Sequence, residues 1–230
     1  SIALLATTLV FFLVREERRP VPGPQTSLLA DLRTTASLPA MPLVLGVAFL
    51  SAGVNPAIQA VLALHLPNLA GKPPAWVYGS IYALPGVAFA TCAILWTWVA
   101  EKRTRRGVMA LGLAGSMFSL LLLGVIQSIW LFVPVYLILG IFLAALAPNA
   151  AALMAEQVPA NMRGQAYGIW QGANTFGQFV MPLAAGAVGA SWGLPWVFVA
   201  LATIMAGGAA VLVGKLRRRG RGVVVADARP

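Results

Sequence analysis

Neutral hydrogen-bonding side chains recur at helical spacing inside otherwise apolar stretches of this sequence. Gln171, Asn174, Thr175 and Gln178 stand at i, i+3, i+4 and i+7, which puts them on one helix face, and Tyr167 precedes them by a turn. Ser51, Asn55 and Gln59 repeat every fourth residue, and Pro56 among them removes a backbone hydrogen bond and predicts a kink. Tyr78 and Tyr82 lie one turn apart ahead of Pro85, and Tyr136, Gly140 and the Pro148–Asn149 pair follow later. Amides, hydroxyls and phenols in this pattern bind by hydrogen bonding. They form no nucleophile–base set, metal-ligand spacing or phosphate-cradling glycine loop, so the sequence predicts no enzyme chemistry and no cofactor. The single cysteine, Cys92, lies within an apolar run and reads as a small buried hydrophobe; no disulfide framework is possible. The single histidine, His65, is expected to be an interfacial residue rather than a proton relay.

The elements that carry these groups must cross a membrane. Of 230 residues 60% are hydrophobic and 10% charged, too little charge to cover a water-facing surface, where about 25% is usual. Six apolar runs reach the roughly 20 residues that a bilayer requires. They are 41–66, 75–100, 108–127, 129–155, 164–190 and 195–214. Ile2–Val14 is too short to span and reads as the end of a truncated helix, with Arg15–Arg19 after it. Residues 15–39 form a polar loop in which Leu28, Leu29, Leu32 and Ala36 predict a short helix on the membrane surface. The fold class expected is all-α, a polytopic bundle of six transmembrane helices over 40–214 with a basic tail at 215–230.

Charge gives the orientation. Fifteen of the 16 Lys and Arg fall on one side of the alternating spans, and only Lys72 falls on the other. Cytoplasmic loops accumulate these residues, so 15–39, 101–107, 157–163 and the C-terminal tail are expected in the cytoplasm. The net charge of +10 does not point to nucleic acid, because the basic residues sit in clusters between apolar runs. The run Lys215–Arg221 reads as an anchor at an anionic leaflet. No Asp, Glu, Lys or Arg falls within a span, so the polar groups above must face a cavity or another helix. The third and sixth spans hold only Ser116, Ser119 and Thr203 in their middles and are expected to face lipid. Gly164, Gly168 and Gly172 form a small-residue stripe that admits another helix.

Three segments together resemble the second half of major facilitator superfamily transporters. Trp98–Arg106 (WVAEKRTRR) is similar to their short acidic–basic loop, with Thr97 and Thr104 where glycines are usual. Glu156–Gly168 (EQVPANMRGQAYG) is similar to the signature E-x-x-P-x-x-x-R-G-x-A-x-G. Gly168-x8-Gly177-x3-Met181-Pro182-x2-Ala185-Gly186 is similar to an antiporter motif, with Met181 and Ala185 in place of glycines. The resemblance covers about 41–214 and implies half of a twelve-helix fold, with 1–14 as the end of the sixth helix and 15–39 as the central loop. It implies that the first, second, fourth and fifth spans line a cavity. It further implies that Glu101 caps a helix or meets a basic partner, and that Glu101, Lys102, Arg105, Glu156 and Arg163 form a cytoplasmic charge network that gates one conformation.

The residues and the resemblance predict a secondary transporter of small molecules working by alternating access. Efflux of drugs or small lipophilic solutes is expected, coupled to an ion through an N-terminal half that is missing here. The cavity residues expected are Asn55, Gln59, Tyr78, Tyr82, Gln171, Asn174 and Gln178. The partners expected are a small-molecule substrate, the lipid bilayer and that missing half, with no nucleic acid; the location is a bacterial inner or plasma membrane. Two alternatives stay open: a non-transporting scaffold or sensor of the same fold, and a half-size transporter acting as a dimer.

Overall fold

The computed structural model describes residues 34–38, 41–70 and 74–226. The expected helix end at 1–14, the basic run Arg15–Arg19 and most of the surface helix lie outside them. The described residues form α1 (Met41–Ala70), α2 (Ala75–Lys102), α3 (Arg105–Val125), α4 (Ile129–Leu143), α5 (Ala147–Gln157), a 3-10 turn (Ala160–Met162), α6 (Arg163–Trp192) and α7 (Leu194–Ala226). Among the described residues five stretches are long and apolar enough to cross a membrane: Met41–Pro67, Ala75–Lys102, Arg105–Val125, Ile129–Gln157 and Leu194–Gly214. The stretch that completes the six expected, α6, is not among them. Its 30 residues have the length, but six glycines and four amides dilute its apolar character. Helix α7 continues past the expected end of the span at Gly214 as far as Ala226.

The helices pack in pairs, α1 along α6, α3 along α7 and α2 along α4. Small residues bring the first pair together. A Cβ on Gly177 would collide with the Phe49 carbonyl, and one on Gly53 would strike Met181 and lie 2.6 Å from the Gly177 carbonyl. Gly177, Met181 and Ala185 are buried, so the antiporter-like motif places its central positions on this seam. The expected glycine stripe does something else. Nothing lies within 4 Å of a Cβ built on Gly164, Gly168 or Gly172, so among the described residues no helix packs there.

The ends of the bundle differ in chemistry. One end carries Lys102, Arg103, Arg105, Arg106, Glu156 and Arg163. The other carries four exposed tryptophans: Trp76 at the start of α2, Trp130 at the start of α4, Trp192 at the end of α6 and Trp196 at the start of α7. His65 lies near this end, with its ring turned into the bundle rather than outward. It is buried among rings, with centroids 6.0 Å from Phe132 and 5.6 Å from Phe198. Phe132 continues the cluster to Tyr136, so α1, α4 and α7 share one aromatic core.

The fourth span is two helices rather than one. The N–H of Ala145 bonds to the Phe142 carbonyl and that of Leu146 to the Leu143 carbonyl, tightening the chain by one residue per bond. Pro148, just inside α5, has no N–H to offer the Ala144 carbonyl four residues back. Two glycines of α3 receive this break. A Cβ on Gly112 would stand 2.9 Å from the Phe142 carbonyl and 3.0 Å from Ala145, and one on Gly115 would enter the Phe142 ring.

Candidate functional site

A polar concavity lies between the paired helices. Its volume is about 530 Å³, and its lining comes from α1, α2, α4, α5 and α6, with no residue from α3 or α7. Ser51, Asn55, Pro56 and Gln59 form one side and Trp170, Gln171, Asn174 and Gln178 another, while Pro85, Gly86 and Phe89 close the apolar side. Pro56 lies within an unbroken α1, so all four α1 residues stay on one helix.

Five of the seven expected cavity residues meet here: Asn55, Gln59, Gln171, Asn174 and Gln178. Their hydrogen-bonding states differ. The Tyr136 hydroxyl reaches the Asn55 Oδ1 at 3.4 Å, which orients one amide from behind. Asn174 is buried, whereas Gln171 and Gln178 are exposed to the opening. Ser51 donates to the Ala48 carbonyl of its own helix at 3.2 Å, so its hydroxyl is partly spent. Tyr78 and Tyr82 do not line the cavity. Tyr82 stands behind the wall and donates to the Gln59 carbonyl at 3.0 Å, and Tyr78 packs against the core. Thr175 leaves the polar stripe for a second, open groove of about 650 Å³ with Gly168, Gly172, Phe176 and Phe179. Among the described residues no charged side chain lines the first cavity, so the wall they form offers hydrogen bonds and ring faces.

Sequence reasoning missed Trp170 and Phe89, the two aromatic members of the lining. Trp170 precedes the first amide of the stripe, and its ring meets Tyr167 edge-on with centroids 6.2 Å apart. A period of 3.6 carried through Trp170 as well as Gln171 signals it. Phe89 is four residues after Pro85 and shares its face.

This arrangement, with four spans around a polar cavity and two behind, coincides with a family match. The family model of the Major Facilitator Superfamily matches residues 43–228. The chain belongs to the Major Facilitator Superfamily. It is thus an integral membrane protein of helical fold. It is 31% identical over 127 residues to multidrug resistance protein MdtG of Citrobacter koseri, a match covering 55% of this chain and 31% of that protein. The corresponding protein of Serratia proteamaculans is also 31% identical over 127 residues, with the same coverage of both chains. That of Escherichia coli O1:K1 is 30% identical over the same length, again 55% of this chain and 31% of the relative. The match spans under a third of the length of these superfamily relatives.

The loop motifs of the superfamily take a definite form here. Of the five expected gating charges, two meet: the Arg105 Nε donates to the Glu156 Oε1 at 2.6 Å, tying α3 to the end of α5. Arg163 instead donates to the Ala155 carbonyl at 3.2 Å. Lys102 stands 3.5 Å over the Trp98 ring, and Glu101 makes no ion pair among the described residues. The cap of α3 is Thr104, whose hydroxyl accepts from the Gly107 N–H at 3.1 Å, so the role expected of Glu101 falls to a residue of the same loop. Pro159 follows α5 and opens the 3-10 turn that leads to Arg163.

Proposed function

We propose that this chain is part of a secondary transporter that exports small lipophilic solutes by alternating access, with its 530 Å³ cavity as part of the substrate site. The observation that carries the reading is the composition of the wall. Five amides and two aromatic rings from facing helices converge on one space, and a neutral hydrogen-bonding wall suits varied uncharged or weakly polar solutes. The names of the relatives, multidrug resistance proteins, favour the same class. A second six-helix half would complete the cavity and supply the coupling ion's carboxylate, since none falls within the spans here. The basic end would face the cytoplasm by the positive-inside rule, and the Arg105–Glu156 pair would hold that end shut in one state.

Asn174→Ala and Gln178→Ala test the reading in the complete transporter, reconstituted in liposomes with the uncharged lipophilic dye Nile red as the probe. Each is expected to lower efflux about tenfold, the scale of one lost buried hydrogen bond to ligand, while the amount of folded protein stays constant. Unchanged efflux in both variants removes the cavity from the mechanism.

A further inference from the structure

The break in the fourth span leaves a backbone carbonyl without its usual partner. The Ala145 N–H turns to Phe142 and the Ala144 N–H to Gly140, so no N–H of this segment reaches the Ile141 carbonyl. In hydrocarbon a bare carbonyl is costly, because no water is there to satisfy it. The Trp96 indole of α2 fills the gap, and its Nε1 donates to the Ile141 oxygen at 2.7 Å. The Trp96 ring also lies against Phe142, with centroids 6.2 Å apart, and against the small cluster of Ala100, Val108 and Ala145. One side chain therefore meets the break through its ring and its N–H together.

The break also shapes the cavity. Gly140 and Leu143 precede it, Ala147 follows it, and all three line the cavity. Where α5 stands relative to α4 sets how far Ala147 projects into that space. We infer that Trp96 is a positioning residue for the cavity: its N–H binds the carbonyl freed by the break and so fixes the angle between α4 and α5, although Trp96 does not line the cavity itself. On the far side of the break the contact is with glycines of α3, Gly112 and Gly115, which offer close packing but no hydrogen bond from a side chain. Within the span the Asn149 Nδ2 of α5 donates to the Ala145 carbonyl at 2.9 Å; among the described residues the side-chain hydrogen bond that reaches the break from another span comes from α2. The inference rests on the break and the cavity wall and holds whether or not the cavity carries a solute.

The test reads geometry rather than transport. In a Cys92→Ser background of the complete protein in native membranes, a cysteine is introduced by Ala147→Cys, or by Gln171→Cys on the opposite wall. The rate of N-ethylmaleimide labelling is then compared with Trp96 intact and with Trp96→Phe, which keeps a ring and removes the donor. Loss of the tie is expected to raise the rate at position 147 about fivefold, the factor corresponding to one net hydrogen bond, with position 171 unchanged. Equal rates at 147 in both proteins, or a parallel rise at 171, overturn the inference. Should Trp96→Phe fail to reach the membrane, 3-benzothienylalanine at position 96 makes the same comparison. It exchanges N–H for sulfur at nearly constant volume, and the same two outcomes decide.

Discussion

The α1–α6 pair and the α3–α7 pair are both close-packed helix pairs, yet they handle polar groups in opposite ways. Along α1 and α6 the amides Asn55, Gln59, Gln171, Asn174 and Gln178 turn toward open space. On α3 the two polar side chains beyond its basic first turn, Ser116 and Ser119, are buried. Ser119 donates back to the Gly115 carbonyl at 2.9 Å, and the Ser116 hydroxyl has no partner among the described residues. In the first pair polarity sits where a ligand or water can meet it. In the second it is either consumed by its own helix or left as a cost. Polar residues in a membrane helix thus mark a site only when the neighbouring helices leave room beside them.

Substitutions can break or sharpen this contrast. The largest expected effect is at the seam itself: Gly177→Leu drives a side chain into the Phe49 backbone and should cost about 3 kcal/mol or more. A collapse in the yield of monodisperse protein after detergent extraction, with Gly172→Leu unaffected, checks it. Phe132→Ala empties the fully buried aromatic core shared by α1, α4 and α7, with an expected loss of about 3 kcal/mol read as a lower melting midpoint. Ser116→Ala, on the apolar pair, should be neutral or stabilising by up to about 1 kcal/mol, because it deletes a buried hydroxyl with no partner. A destabilised Ser116→Ala would mean that α3 holds a polar contact after all. Smallest is Arg105→Ala: its partner Glu156 is 52% exposed, so stability should change by about 0.5 kcal/mol or less in a thermal melt.

The sequence made the polar stripe legible because amides at a 3.6-residue period stand out against an apolar background. Gln171, Asn174 and Gln178 fall on one wall as that period requires. Period alone says nothing of what lies across the gap. Thr175 shares the nominal face yet opens into a different groove, and Gly164, Gly168 and Gly172 line no helix contact among the described residues. Polarity alone puts Tyr78 and Tyr82 with the cavity residues; a backbone carbonyl of α1 within reach of the Tyr82 hydroxyl keeps Tyr82 behind the wall. His65 reads as interfacial from its position near a helix end, and that position does not reveal the rings of α4 and α7, far away in sequence, that surround it. The break at 144–146 is written only in Pro148, which by itself is compatible with an unbroken helix, as Pro56 within α1 shows.

The tryptophans at one end of the bundle act as a depth gauge. Trp76 begins α2 and Lys102 ends it, 26 residues apart and therefore roughly 39 Å along the axis, close to the full thickness of a bilayer with its headgroups. With Trp130, Trp192 and Trp196 at the same end, indoles on four different helices prefer one interfacial plane. Sliding any of these helices along the membrane normal pulls an indole out of its preferred layer, whereas turning them about axes within the membrane plane leaves the ring of indoles near its level. The belt makes a piston stroke expensive and a rocking motion cheap.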